Sequence, residues 1–178
     1  MLNLEWPQLA VYKLEEDAPD LKVHTRDSAC FDIPIYIKES VIAYNSVNDR
    51  EDRYPCRKDR LIEVENSLDI PPLYKVCLRT GYILNIPRGY SVRIFARSST
   101  PLKRGLILAN GVGIVDSDYT DELMLIMANI SNTTVRVDHG DRLAQGEMVE
   151  NFCYNIMKMN IKPTRKTDRD GGMGSTGK

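Results

Sequence analysis

No stretch of the chain approaches the ~20 consecutive apolar residues that a membrane-spanning helix needs, and this excludes a helical membrane anchor. The opening segment, MLNLEWPQLAVYKLEED, lacks the basic stretch and the apolar core of a secretory signal, which predicts an intracellular protein. A basic excess is also missing: 24 Lys and Arg stand against 25 Asp and Glu, for a formal charge of -1. The chain therefore lacks the electrostatics of a protein that coats nucleic acid. The four cysteines, Cys30, Cys56, Cys77 and Cys153, form no C-x-x-C pair, and the two histidines, His24 and His139, show no ligand spacing. Neither a zinc site nor a disulfide framework is supported. Asn129-Ile-Ser131 and Asn132-Thr-Thr134 match the N-glycosylation pattern, but in an unsecreted chain the matches are accidental.

Sustained 3.6-residue apolar periodicity is scarce too, so long helices are not expected. What is present is a series of short β-branched runs separated by Gly, Pro, Asn and Asp, in a chain of 178 residues. That length suits one domain with a real core. Candidate strands are Gln8 to Leu14, Ile33 to Ile37, Tyr74 to Arg79, Tyr82 to Ile86, Tyr90 to Ala96, Leu106 to Ala109, Leu123 to Ile130, Thr133 to Val137, Arg142 to Val149 and Tyr154 to Ile161. Such spacing points to an all-β sandwich, jelly roll or barrel. Val92, Ile94 and Ala96 alternate with Arg93 and Phe95, whereas Leu123 to Met127 is apolar on both faces, the pattern of a strand at the centre of an assembly.

Two regions break the pattern. Residues 45–72 are dense in charges of alternating sign and end in Pro71-Pro72; they read as a surface insertion, a solvated loop or short hairpin before a dedicated partner-binding surface. From Lys162 onward the chain carries a single large apolar residue, too little to order a segment by burial. The expected organisation is a β domain over 1–161 followed by a flexible glycine-rich arm over 162–178.

The segment Asn110-Gly-Val-Gly-Ile-Val-Asp-Ser-Asp-Tyr119 reads as a hairpin built as a pocket. Gly111 and Gly113 remove the Cβ atoms that would keep a flat ligand off the backbone. Asp116 and Asp118 would share a face of an extended chain, placed to activate water or hold a cation; the alternative is that Asp-Ser-Asp caps a turn. Ala96-Arg97-Ser98-Ser99 offers a guanidinium fork and two hydroxyls at a strand end, a set suited to phosphate oxygens. His139-Gly-Asp-Arg-Leu-Ala-Gln145 is a tight turn followed by Arg142 and Gln145. Gly172 to Lys178 fits the first seven positions of the P-loop pattern, but a P-loop also needs a preceding strand, a hydroxyl after the lysine and a helix, so a Walker A site is rejected. Its glycines, with Ser175 and Thr176, can still wrap an anion.

Taken in order, Asp27 to Ile33, Ala96 to Ser99, Asn110 to Tyr119, Gly140 to Gln145 and Arg169 to Gly177 resemble the motifs of the trimeric dUTPases. The resemblance implies a distorted jelly roll (β-clip) protomer and a homotrimer with active sites at subunit interfaces, each drawing on three chains. It implies a dUTP diphosphatase that cleaves dUTP to dUMP and pyrophosphate with Mg²⁺. By the same resemblance, Asp116 activates the water that attacks the α-phosphorus. Asn110 and the backbone at Gly113 and Val115 recognise uracil, and Tyr119 stacks beneath the deoxyribose. Arg97, Ser98 and Ser99 address the phosphates, and Gln145 holds them or the water. Asp32 meets Mg²⁺ through its water shell, Met173 covers the base, and Gly174 and Ser175 close on the phosphates with Arg169. Where the family's arm carries an aromatic, this chain has Met173, a looser cover. The arm is also one residue shorter after Arg169, so Arg165, Lys166 or Lys178 shares the γ-phosphate contact. The rivals are a dCTP deaminase or bifunctional deaminase and dUTPase, for which Ile126 stands where the catalytic glutamate belongs and Glu122 is the nearest carboxylate, and a nucleotide-dependent regulatory module that uses the insertion as its interface.

Overall fold

The computed structural model describes residues 6–38 and 66–168 in full, and the backbone alone over 41–45 and 51–54. Among these residues the secondary structure is strand apart from one π-helical turn, Thr100–Arg104. The strands are β1 (Ala10–Lys13), β2 (Phe31–Pro34), β3 (Val41–Asn45), β4 (Glu51–Tyr54), β5 (Ser67–Ile70), β6 (Tyr74–Arg79), β7 (Tyr82–Asn85), β8 (Tyr90–Ala96), β9 (Leu106–Leu108), β10 (Gly113–Asp116), β11 (Met124–Asn129), β12 (Val135–Asp138) and β13 (Arg142–Glu150). Two larger sheets run β10-β8-β13-β2 and β4-β3-β6-β11-β9, with the smaller pairs β1-β7 and β12-β5 beside them. All ladders are antiparallel.

Period-two patterning builds the core. Val92 and Ile94 of β8 with Leu143 and Ala144 of β13 join Val76 and Leu78 of β6 and Leu125 and Met127 of β11 in one buried cluster. Asn129 is the polar exception. It is fully buried, donates to the carbonyls of Ile70 and Thr133 at 2.8 Å each, and accepts from Ser131 N and Oγ. A side chain so saturated ties three segments together at little desolvation cost, and it has no room to carry a glycan.

Several sequence expectations are corrected. The strand expected at Ile33 to Ile37 leaves its sheet after Pro34, which has no N–H to offer. Tyr36 then donates to the carbonyl of Arg79 and passes into the neighbourhood of the second sheet. Tyr154 to Ile161 forms no strand: none of the described residues pairs with it, and Phe152 just ahead is 93 % exposed. Inside the charged stretch 45–72, β5 is core: Leu68 and Ile70 are buried against the main cluster. The described part ahead of it is one half of a hairpin, β4, paired to β3. The expectation that Leu123 to Met127 lies at the centre of an assembly is not among these corrections: in the protomer Leu125 and Met127 are buried and Ile126 between them is 41 % exposed.

Two contacts set the position of β2 and its neighbouring turn. Gly146 lies opposite Phe31, and a Cβ built there would sit 2.4 Å from the phenyl Cζ. The ring thus occupies the space that a side chain would need. Gly146→Ala is expected to cost about 1–3 kcal/mol by overpacking, read from urea unfolding, and Phe31→Leu in the same chain should recover much of it.

His139 accepts a hydrogen bond at Nδ1 from the Ile37 amide at 3.2 Å and meets Tyr36 edge-on. Burial, and then the nearby Lys38 ammonium, hold its pKa below the usual 6.5. A histidine kept neutral in this way stabilises the fold fully above its unfolded pKa, and the contribution is lost as pH falls through the lower folded value. Melting temperature should therefore drop as the pH falls below the usual histidine value of 6.5 and on through the lower folded value. His139→Gln should flatten that part of the profile; an unchanged profile would remove His139 as its source.

Candidate active site

Strands β2, β8 and β13 end at one corner of the four-stranded sheet, and Asp32 sits there only 6 % exposed. Its backbone amide donates to Lys22 at 2.8 Å. Arg97 Nε approaches Oδ1 at 3.2 Å, Arg142 Nη1 approaches Oδ2 at 3.1 Å, and His24 Nε2 lies 2.8 Å from Oδ2. His24 Nε2 is also 2.7 Å from Arg142 Nη1. Two guanidiniums on one carboxylate leave the corner positive whatever the state of the imidazole, which is the electrostatics of an anion site. Gln145 stands directly across the ladder from Asp32 on one side and from Phe95 on the other.

The turn carrying Arg97, Ser98 and Ser99 is anchored from below. Arg97 N and Thr100 Oγ1 both donate to the carbonyl of Leu143, at 3.1 and 2.7 Å, and Thr100 N donates to the carbonyl of Arg97. The π-helical turn that follows ends on Gly105, whose φ of 65° lies in the left-handed region. Arg104 there forms a two-pronged ion pair with Asp141, which also accepts from the amide of Asp138 at 2.9 Å. The loop with the hydroxyls and the turn leading to Arg142 are thereby locked to each other.

Asp116 occupies a different corner. The expected hairpin over Asn110 to Tyr119 is corrected, because β9 pairs with β11 in one sheet while β10 pairs with β8 in the other. The chain crosses between sheets through Asn110-Gly111-Val112, and Gly111 supplies the φ of 72° that the turn requires. As the outermost strand of its sheet, β10 keeps one row of backbone N–H and C=O groups unpaired by the ladder, a usable edge for a planar base. The side chain of Val115 is buried and Asn110 is exposed, so Val115 can offer only main-chain groups.

Asp116, Ser117, Asp118, Ile86, Arg88 and Asn151 line an open cleft of about 660 Å³. Asp116 ends the strand and the chain turns after it, with Tyr119 N donating to its carbonyl at 3.2 Å, so Asp118 reaches the cleft from the turn and not from an extended face. Arg88 and Asn151 escaped the sequence reading. Each stands beside an ordinary-looking strand end, and only the fold brings them to Asp116. His24, set aside for want of ligand spacing, likewise reaches Asp32 only through tertiary structure.

Tyr119 is 40 % exposed, and its hydroxyl donates to the carbonyl of Glu122 at 3.0 Å. Burial, then the nearby Asp121 carboxylate, raise its pKa above the usual phenol value, which keeps it a donor at neutral pH. The carboxylate of Glu122 is fully engaged: Arg79 Nε reaches its oxygens at 2.9 and 3.2 Å and Gly81 N donates at 2.7 Å. Glu122 is therefore not a free proton shuttle, and Ile126 on β11 carries no ionisable group.

Register separates the two corners. Asp116 lies opposite Ser91, whereas Asp32 shares its row with Gln145 and Phe95. Three strand spacings and four residues along the sheet amount to about 20 Å, with both groups on the same outward face. Within one protomer the structure brings together Asp32, Arg97, Ser98, Ser99 and Gln145, and separately Asp116 and Tyr119, with Gly113 and Val115 on the same strand as Asp116 and Asn110 on the turn that leads into it. Arg169, Met173, Gly174 and Ser175 lie outside the described residues. Among the described residues no three His, Cys, Asp or Glu side chains converge on a metal position. Burial, as the main cause, raises the thiol pKa values of Cys30 and Cys77, so neither is a ready thiolate nucleophile.

Comparison with known proteins bears on the family and the fold. A family model described as dUTPase matches residues 62–177. The deoxyuridine 5'-triphosphate nucleotidohydrolase of Finegoldia magna is 38% identical over 114 residues, covering 64% of this chain and 78% of that protein. The enzyme of the same name from a Hydrogenobaculum species is 35% identical over 115 residues, with 64% and 78% covered. Among solved structures, the Staphylococcus bacteriophage 80alpha dUTPase with dUPNHPP superposes with a TM-score of 0.71 at 17% identity, covering 96% of this chain and 98% of that one. The Streptococcus mutans dUTPase gives 0.59 at 23% identity, covering 80% and 97%. With its all-β fold shared with these structures and most of its length matched by the family model, the chain belongs to the dUTPase family.

Proposed function

We propose that the chain hydrolyses dUTP to dUMP and pyrophosphate at sites assembled between copies of itself in a homotrimer. The observation that carries the shared site is the sheet register, which sets the positive corner at Asp32 three strands and four residues from the carboxylate cleft at Asp116, about 20 Å at ordinary strand spacings. One nucleotide cannot use both corners of one protomer, whereas a neighbouring copy can present the missing half. Two bare apolar surfaces favour such an assembly: Ile126 on the outer face of β11, and the run Phe152, Tyr154, Ile156, Met157, Met159 and Ile161, all exposed in the protomer.

In this reading Asp116 takes a proton from the water that attacks the α-phosphorus. The edge of β10, with Asn110, Gly113 and the backbone of Val115, pairs with uracil, and Tyr119 lies beneath the sugar. From a second copy, Arg97, Ser98 and Ser99 hold the phosphates, with Gln145 on the phosphates or the water. The arm, through Arg169, Met173, Gly174 and Ser175, closes from a third copy and excludes solvent. Backbone pairing distinguishes uracil from cytosine, whose donor and acceptor are exchanged, because a mismatch leaves buried groups unpaired. Thymine must be refused by close contact with its methyl group.

The residues fit a magnesium ion that arrives on the triphosphate. Asp32 is a single carboxylate whose oxygens already meet Arg97, Arg142 and His24, so it can reach at most the water shell of an ion whose charge the triphosphate balances, in keeping with the few protein ligands Mg²⁺ demands. When bound, Mg²⁺ would neutralise phosphate charge as the bond breaks. Direct deamination of dCTP is disfavoured by the engaged Glu122 carboxylate. A second reading adds a protein partner at the 45–72 insertion: among the described residues β4 ends its five-stranded sheet, and a sheet edge can accept an added strand.

The test is pyrophosphate release and base identity with dUTP, dCTP, dTTP and UTP in the presence of Mg²⁺. Turnover restricted to dUTP is expected, and a uracil product from dCTP would revive the deaminase. Asp116→Asn should lower turnover by at least about 100-fold, the scale of a lost general base, while binding of a non-hydrolysable dUTP analogue persists. Unchanged turnover would reject the role given to Asp116.

A further inference from the structure

Tyr119 has no covalent reason to stay where it is. It sits on an exposed loop between β10 and β11, and its ring can discriminate between sugars only if its height is held constant. Its hydroxyl is tied to the Glu122 carbonyl at 3.0 Å, so the position of Glu122 sets the position of the ring. Glu122 is in turn pinned by its side chain, not by solvent-facing backbone. One oxygen accepts from Gly81 N at 2.7 Å, and Arg79 Nε spans both oxygens at 2.9 and 3.2 Å.

The pin is built into the core on its other side. Arg79 Nη2 pairs with Glu15 at 2.8 Å, and its guanidinium lies 5.3 Å from the centre of the Tyr36 ring. Leu123, next to Glu122, donates its amide to the carbonyl of Tyr82 and accepts at its own carbonyl from Thr80 Oγ1, each at 2.8 Å. The loop therefore has one charged anchor, at Glu122, and a backbone seam immediately after it.

We propose that Arg79 and Glu122 form a positioning pair that fixes the Tyr119 ring and thereby sets discrimination between 2'-deoxyribose and ribose triphosphates. This rests on the dUTPase reading, in which Tyr119 lies beneath the sugar. A carboxylate clamped by a guanidinium and an amide moves less than one held by water, and a displacement of about 1 Å at a positioning group can cost up to about 100-fold in rate. Here the displacement acts selectively. Lowering the ring opens space for a 2'-hydroxyl, so activity toward UTP rises relative to dUTP while the water at Asp116 keeps its base.

The experiment compares kcat/KM for dUTP and UTP in wild type, Tyr119→Ala, Glu122→Gln, Arg79→Lys and Ile70→Val, with melting temperature for each. Ile70→Val weakens the core far from the loop and controls for stability loss. Glu122→Gln is expected to shift the UTP-to-dUTP ratio by about tenfold in the direction of Tyr119→Ala. Arg79→Lys should give a smaller shift of the same sign, because a lysine keeps the charge without the fork, and Ile70→Val should give none. If Tyr119→Ala relaxes selection and Glu122→Gln and Arg79→Lys lower both substrates equally, the positioning role is overturned while the dUTPase reading stands. If wild type does not turn over dUTP, or Tyr119→Ala leaves the ratio unchanged, the failure lies in the reading of the site, and the inference built on it falls too. Should Glu122→Gln fail to fold, Arg79→Lys decides alone.

Discussion

The hydrogen-bonded register of β10-β8-β13-β2 is the constraint from which the rest follows. It places Asp116 against Ser91 and Asp32 against Gln145, and a β-ladder cannot slip by one residue without exchanging its buried and exposed faces. With Val92, Ile94, Leu143 and Ala144 all buried from the same sheet, such a slip would expose the core. The separation between the two halves of the chemistry is therefore as stable as the fold itself. A single protomer carries a guanidinium-rich corner at Asp32 and a carboxylate cleft at Asp116 that face the same way and do not meet.

Each half is held rigid by different means. Asp32 is buried, which is costly for a carboxylate unless its lone pairs are engaged; Arg97, Arg142 and His24 engage them. Those same groups make the corner attractive to a polyanion, so stabilisation and ligand attraction share one cluster. The cleft at Asp116 depends on main-chain geometry, with a glycine turn feeding an edge strand, and on the clamp at Glu122 that steadies the loop beyond it. Gly146 and Phe31 connect the two themes: the ring fills the space over the glycine and sets how closely β2, and with it Asp32, lies against β13.

Much of the fold was legible from alternation. Tyr74–Arg79 and Tyr90–Ala96 match the strands expected from sequence residue for residue, because one face of each is buried and the pattern of side chains reports it. Arg97 and Ser98, adjacent in sequence at the end of β8, read as one group without the fold, and the structure adds the contact of Arg97 with Asp32 that the sequence does not show. Misreadings arose where the partner is distant. Asn110 to Tyr119 looks like a hairpin because its glycines alternate with strand formers, but β10 within it pairs with β8, and β9 just before it pairs with β11. Tyr154 to Ile161 carries strand-forming residues for which the described residues offer no pairing strand. His24, Arg88 and Asn151 stand in no recognisable spacing, since their proximity to Asp32 and Asp116 is created by strand packing alone.

The shared site is tested most directly by complementation. Asp116→Asn and Arg97→Ala chains, each inactive as a pure assembly, are co-expressed in equal amounts and purified together. If each site takes Asp116 from one chain and Arg97 from its neighbour, every mixed trimer regains one intact site of three, and random assembly restores about a quarter of wild-type turnover per chain. If both residues served one site within a single chain, no mixed assembly could contain an intact site, and a mixture as inactive as its parents would contradict the account.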